Sequence, residues 1–160
     1  MSCSTSSWSG FIELLNWNIC TIGKPALAFA RSGVEEYLGR LQRYTAVSVT
    51  HGKERGAEKN SLQLLTASEG THRIALDERG RDLSTAALVE TIDCWELDGS
   101  IKTVSLLIGG ADGHTADLRS QCVGLWRLSS LTLQHELALI VLLEALYRAY
   151  TIKRGEPYHR

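Results

Sequence analysis

The sequence has 160 residues, 44% of them hydrophobic and 22% charged, which is an ordinary balance for a soluble globular protein. This length suffices for one domain with a hydrophobic core. The formal net charge of −1 excludes a protein that holds bare nucleic acid through an overall basic field. Any contact with nucleic acid must therefore use a local patch or depend on a partner's surface.

The start of the chain carries no targeting signal that we recognise. The first ten residues, MSCSTSSWSG, lack the basic start and the apolar core of a secretory signal. The most apolar stretch, 137–143, is too short to cross a bilayer before Glu144 interrupts it. We therefore expect a cytoplasmic protein without a membrane segment. Residues 1–13 are expected to form a disordered extension, and residues 14–160 a single domain.

From residue 14 onward, strand-like and helix-like patterns alternate along the chain. Apolar and β-branched runs predict strands at 14–22, 45–50, 73–76, 103–108 and 124–129. Apolar residues at helical spacing predict helices at 25–41, 61–67, 84–95, 115–122 and 136–150. Ser84 and Thr115 are the expected N-caps of the third and fourth helices. Strands that alternate with helices predict an α/β fold with a mostly parallel sheet flanked by helices.

Ligands of such sheets bind beyond the carboxyl ends of the strands, where three segments carry suitable residues. These segments are Leu76-Asp77, Gly109-Gly110 and 129–134. The GGADG stretch after the fourth strand matches neither the dinucleotide fingerprint GxGxxG nor a phosphate-binding loop ending in GK[ST]. It predicts either a tight turn that needs glycine or a backbone that a ring or a ribose approaches closely.

The end of the chain suggests contacts with other molecules. The last predicted helix, ELALIVLLEALYRAY, is apolar on almost every side, which favours burial against a second subunit; burial within one chain is the alternative. The tail ends in Tyr158, His159 and Arg160, a combination of stacking ring, imidazole and guanidinium that suits RNA. The alternative for this tail is a solvated terminus.

Other chemistry has little support in the sequence. His51, His72 and His114 have polar neighbours in the sequence and are poor catalytic candidates, whereas His135 belongs to a candidate ligand loop. No His, Cys or carboxylate cluster has the spacing of metal ligands, so no metal site is predicted. A GxSxG nucleophile motif is also missing.

Five motifs occur in order along the chain: LDERGRDLS, LLIGGADG, LSSLTLQH, LLEALYRAYTI and GEPYHR. Together they strongly resemble the SPOUT-superfamily enzymes called ribosomal RNA large subunit methyltransferase H, over about 14–160. The resemblance implies a homodimer whose C-terminal part forms a deep trefoil knot, with S-adenosylmethionine as cofactor. It implies methylation of the imide nitrogen N(3) of a pseudouridine in large-subunit (23S) ribosomal RNA within the assembled ribosome.

The resemblance also assigns site residues, motif by motif. The implied cofactor contacts are Leu76, Gly109, Gly110, Ser129, Ser130, Leu131, Thr132, Leu133 and Gln134. The implied substrate contacts are Tyr158, His159 and Arg160, which would reach across the dimer. His159 is our candidate for the base that takes the imide proton, and Arg160 for the group that stabilises developing negative charge.

Three positions depart from the family's usual pattern. Gln134 stands where proline is common, Leu139 where arginine is frequent, and Ala145 where glutamine is frequent. A different class of function also stays open, namely a non-catalytic dimer that binds ribosomes or RNA and keeps the same fold. A flavodoxin-like enzyme acting on a small molecule is disfavoured because no phosphate-cradling loop is present.

Overall fold

The computed structural model describes residues 14–159, so the predicted extension 1–13 and Arg160 lie outside the described residues. The strands are β1 (Asn16–Ile22), β2 (Ala46–Gly52), β3 (His72–Asp82), β4 (Thr103–Ile108) and β5 (Gly124–Arg127). The helices are α1 (Ala28–Leu41), α2 (Ala57–Ala67), α3 (Thr85–Leu97), α4 (Ala116–Ser120) and α5 (His135–Lys153). A short 3-10 helix, Pro157–His159, follows α5.

The five strands form one sheet in the order β2-β1-β4-β3-β5, and every neighbouring pair is parallel. Asn16 at the start of β1 lies opposite Ala46 on one side and Thr103 on the other. The predicted α/β fold with a parallel sheet is therefore confirmed. This strand order is consistent with a C-terminal trefoil knot, which stays a prediction.

Alternating side chains along the strands divide the interior into two cores. Trp17 and Ile19 of β1 belong to a large core that the sheet forms with α1, α3 and α5. Cys20 and Ile22 belong to a smaller core on the other face, which includes Leu64 of α2 and Leu118 of α4. Because successive side chains of a strand point to opposite faces, the apolar strands fill both cores and the molecule has three layers.

Helix α5 is buried mainly by its own chain. Nine of its 19 residues are buried, and the helix packs between α1 and α3. The buried Trp17 donates a hydrogen bond from Nε1 to the hydroxyl of Tyr150 at 2.8 Å, which fixes α5 on the central strand. Burial raises the pKa of Tyr150 to about 12, so this hydroxyl stays protonated. The apolar character of α5 therefore does not by itself require a second subunit, and the homodimer stays a prediction.

Both predicted helix caps are confirmed, because Ser84 accepts from Ala87 N and Thr115 accepts from Leu118 N. Most boundaries shift by one to three residues, and two shift by more. Helix α2 begins at Ala57, four residues earlier than expected, and β3 extends to Asp82. Among residues 14–159, no helix is long and apolar enough to span a membrane.

Candidate functional site

A cleft of about 1070 Å³ lies at the carboxyl ends of β3, β4 and β5, beside the first turn of α5. Its volume matches that of sites for small-molecule ligands. All nine residues predicted to bind the cofactor line this cleft: Leu76, Gly109, Gly110, Ser129, Ser130, Leu131, Thr132, Leu133 and Gln134. The structure thus brings together three segments that are far apart in the sequence.

One wall of the cleft is an interruption in β3. Leu76 and Arg81 both align with Trp126 of β5, so residues 77–80 leave the ladder, and 77–79 line the cleft. Asp77 stabilises this turn by accepting a hydrogen bond from the backbone N–H of Arg79 at 2.9 Å. Gly80 then crosses β5 so closely that a Cβ there would lie 2.6 Å from the carbonyl carbon of Trp126. The sequence-based end of this strand at Leu76 is therefore wrong, since β3 resumes after the crossing.

The three glycines of the GGADG turn are needed for different reasons. A Cβ at Gly109 would lie 3.2 Å from the ring of His114, and a Cβ at Gly110 would lie 2.3 Å from Oε2 of Glu54. Gly113 has a φ of +71°, which favours glycine. Of the two sequence-based alternatives, the tight turn explains Gly113. At Gly109 and Gly110 the nearest atoms belong to side chains of the protein itself.

Glu54 is a site residue that the sequence analysis missed. Its Oε1 accepts from the side-chain amide of Asn60 at 2.6 Å and from Gly56 N at 3.0 Å. These two donors lower the pKa of Glu54, so the carboxylate stays ionised. The same carboxylate lies against Gly110, which links the β2–α2 loop to the rim of the cleft. No motif marks this residue, because the contact joins segments that are far apart in the chain.

His114 is buried, although its sequence neighbours are polar. Its Nε2 lies 3.1 Å from the carbonyl oxygen of Leu76, and the ring packs against Gly109. Burial lowers the pKa of His114, so the neutral imidazole is favoured. Arg119 donates to the carbonyl oxygen of His114 at 2.5 Å and lies 3.5 Å from Asp77 Oδ2. These contacts join the ends of β3 and β4 into one wall.

The opposite wall is the loop 128–134 together with the first turn of α5. Ser129 Oγ accepts from Leu131 N at 3.0 Å. Glu136 is buried and accepts from the backbone N–H of Ala26, and this hydrogen bond is the first cause of its lowered pKa. Glu136 therefore connects the start of α5 to the segment just before α1.

A family model described as "Predicted SPOUT methyltransferase" matches residues 15–159. The chain belongs to the SPOUT methyltransferase family. A Deinococcus radiodurans protein named ribosomal RNA large subunit methyltransferase H is 46% identical over 143 residues, covering 89% of this chain and 97% of its own. A Thermus thermophilus protein of the same name is 44% identical over 142 residues, covering 89% and 96%.

Two solved structures share the fold at low sequence identity. A probable methylase family protein from Haemophilus influenzae has a TM-score of 0.56 at 11% identity, covering 92% of this chain and 71% of that one. A probable methyltransferase from Bordetella pertussis has a TM-score of 0.55 at 9% identity, covering 86% and 98%. Both support the α/β architecture of this SPOUT chain.

The structure shows what the three departures from the family pattern do in this SPOUT chain. Gln134 is the N-cap of α5, where its Oε1 accepts from Glu136 N at 3.0 Å and from Leu137 N at 3.1 Å. A side-chain cap thus orders the position at which a proline is common. Leu139 is buried in the large core, and Ala145 packs against the same core.

The tail of this SPOUT chain lies away from its own cleft. Tyr158 packs edge-on against Tyr147 with ring centroids 4.7 Å apart, and its hydroxyl donates to Glu144 Oε1 at 3.1 Å. The guanidinium of Arg148 lies over the Tyr158 ring at 4.7 Å. Burial, followed by a hydrogen bond with Tyr37, raises the pKa of Tyr158, which keeps the phenol neutral.

Neither Tyr158 nor His159 lines the cleft of the same chain, and His159 is exposed. The predicted role of Arg160 lies outside the described residues. Across the described residues, 14–159, no group of three or more His, Cys, Asp or Glu side chains could hold a metal ion.

Proposed function

We propose that this protein transfers the methyl group of S-adenosylmethionine to the imide nitrogen N(3) of a pseudouridine in large-subunit ribosomal RNA, within the assembled ribosome. One observation carries the proposal: a single cleft collects all nine predicted cofactor residues in a SPOUT chain. The relatives at 46% and 44% identity, both named ribosomal RNA large subunit methyltransferase H, support the substrate class.

The chemistry of the cleft fits S-adenosylmethionine. Leu76, Ile108 and Trp126 give it apolar surface of the kind that an adenine ring needs, and loop 129–134 adds hydroxyl and amide groups. The lining carries both carboxylates, such as Asp112, and guanidinium groups, such as Arg127, so it offers partners for the ammonium and sulfonium and for the carboxylate of this ligand. When bound, the cofactor supplies an electrophilic methyl group on its sulfonium.

The protein's main task in this reaction is positioning. Displacement at a methyl group needs the attacking nitrogen, the methyl carbon and the leaving sulfur in line, and fixed geometry can supply much of the rate. The walls joined by His114 and Gln134 hold the strand ends and the loop in place before any ligand arrives. The imide proton must also leave, and His159 is our proposed base, with Arg160 stabilising the negative charge that develops.

Tyr158 and His159 do not line the cleft of their own chain, so the proposal places the tail at another subunit's cleft. Tyr158 is held against Glu144, nine residues beyond the first residue of α5 and therefore about 13 Å along the helix axis. The proposal accordingly includes a homodimer. Exposed apolar side chains near the starts of α1 and α5 support it, since Phe29 is 58% exposed, Leu27 45% and Leu137 38%.

The decisive experiment measures cofactor binding and methylation separately. Calorimetry should show one S-adenosylmethionine site per chain, and ribosomes from a strain without the enzyme should gain a methyl group on a pseudouridine by mass spectrometry. A variant ending at Pro157 should bind the cofactor almost normally but lose methylation by about a thousandfold. Ribosome binding without methyl incorporation would instead establish the non-catalytic alternative. A protein that sediments as a monomer at micromolar concentration would refute the shared site.

A further inference from the structure

The β2–α2 loop is held rigidly by two side-chain amides from α2. Gln63 accepts from Lys53 N at 2.9 Å and donates to Lys53 O at 2.8 Å. Asn60, which is 1% exposed, accepts from Arg55 N at 2.8 Å. A loop of 53–56 with its backbone fixed in this way loses little conformational entropy when it binds a partner.

Two cations of this loop face solvent on either side of Glu54, whose carboxylate lies against Gly110 of the cleft. Lys53 and Arg55 are both exposed, and no carboxylate among residues 14–159 forms an ion pair with either of them. Glu54, which stands between them, directs one oxygen toward Asn60 and Gly56 and the other toward Gly110. Both donors are neutral, so Glu54 keeps its charge and residues 53–55 carry a net charge of +1, with no carboxylate in the described part of the chain paired to either cation.

The location of the loop suggests that these cations bind phosphates of the substrate RNA. Glu54 lies against Gly110 of the glycine turn, which lines the candidate active site. Lys53 and Arg55 are its neighbours in the chain on either side. A substrate nucleotide entering the cleft brings its neighbouring phosphates to this rim. With an overall charge of −1, the protein must attract a polyanion through such local groups.

We propose that Lys53 and Arg55 bind backbone phosphates of the ribosomal RNA and orient the target nucleotide toward the cleft. This inference rests on the proposed function. Each phosphate contact releases about one counterion, so the loss of one contact weakens binding about tenfold at ~0.1 M monovalent salt. The slope of log affinity against log salt concentration should also become shallower by roughly 0.7 to 0.9 for each lost contact.

The test compares Lys53→Glu and Arg55→Glu with Arg43→Glu, a matched charge reversal. Arg43 is exposed and precedes β2, so it lies at the amino ends of the parallel strands, whereas the cleft lies at their carboxyl ends. Binding to large ribosomal subunits is measured at several salt concentrations, together with kcat, KM for ribosomes and S-adenosylmethionine affinity. Lys53→Gln and Arg55→Gln repeat the comparison without introducing a negative charge.

The loop variants should raise the KM for ribosomes at least tenfold and flatten the salt dependence, with kcat and cofactor affinity nearly unchanged. Equal effects of the loop variants and Arg43→Glu, or no effect of the loop variants, would overturn the inference. If the wild-type protein binds ribosomal subunits through this loop but transfers no methyl group, the proposed function fails and the docking loop stands. If the wild type methylates ribosomes regardless of the loop, only the docking loop fails.

Discussion

The crossing of Gly80 over β5 predicts an unusually costly glycine-to-alanine substitution. An added Cβ would lie 2.6 Å from the carbonyl carbon of Trp126, and 2.7 Å from both the carbonyl carbon of Leu125 and the nitrogen of Trp126. Carbon atoms in favourable contact are about 3.5–4.0 Å apart, so the strands would have to separate by about 1 Å. Gly80 is not among the glycines with positive φ, so the substitution tests steric overlap alone.

The cost should be at least typical of overpacking, because every contacting atom is backbone and none can rotate away. Overpacking costs about 1–3 kcal/mol, and we expect Gly80→Ala to lower the free energy of unfolding by about 2–3 kcal/mol. For a chain of this size, that corresponds to a fall in Tm of roughly 4–12 °C. The affinity for S-adenosylmethionine should fall as well, because the preceding residues 77–79 line the cleft.

The matched control is Gly39→Ala in α1, where an added Cβ has no atom within 4 Å. Replacing a glycine inside a helix should raise stability by about 0.5–1 kcal/mol. Urea denaturation and thermal melting of both variants give the comparison, and calorimetry gives the cofactor affinity. If Gly80→Ala melts within about one degree of the wild type, the close crossing is not a real constraint and this explanation of the cleft wall is wrong.

Three further variants test individual contacts of the site. Gly110→Ala should weaken cofactor binding, because the added methyl group displaces the carboxylate of Glu54. Adding Glu54→Ala to this variant should restore the affinity measured by calorimetry. A double variant that still binds weakly would contradict the steric cause. Gln134→Ala removes the α5 cap and should cost about 1 kcal/mol in chemical denaturation, whereas no change would mean that other contacts order the loop. The carboxylate of Glu136 has a lowered pKa in the folded protein, so its contribution to stability is complete above the ordinary glutamate pKa and is lost as the pH falls through the folded pKa. Glu136→Gln should therefore reduce the loss of stability between neutral pH and pH 3, and an unchanged acid-unfolding curve would contradict this role.

Local patterns predicted most of the fold because the decisive interactions are short in sequence. The caps at Ser84 and Thr115 bond to amides three residues ahead, and the strands are marked by runs of apolar residues. The cleft was also predictable as a place, since parallel strands end at one edge of the sheet. The resemblance to a known family then supplied residues that the pattern alone could only suggest.

The missed features all depend on contacts between distant segments. The burial of His114 arises from packing against Leu76 and Gly109, although its neighbours in the sequence are polar. Similarly, the role of Glu54 depends on the loop approaching Gly110, and the extension of β3 depends on a register shift against β5. The apolar surface of α5 could not be divided between the chain's own core and a partner until the positions of α1 and α3 were known.

The position of β1 in the sheet also affects how the chain can fold during translation. One edge of β1 pairs with β2, which follows it closely, but the other edge pairs with β4, which is made only after α1, α2 and α3. At a synthesis rate of about 5–20 residues per second, a growing chain presents that open edge for several seconds. Exposed strand edges are templates for aggregation. The nascent protein should therefore depend on chaperones until residue 108 has left the ribosomal tunnel, and ribosomes stalled before that point should carry an unfolded, protease-sensitive chain.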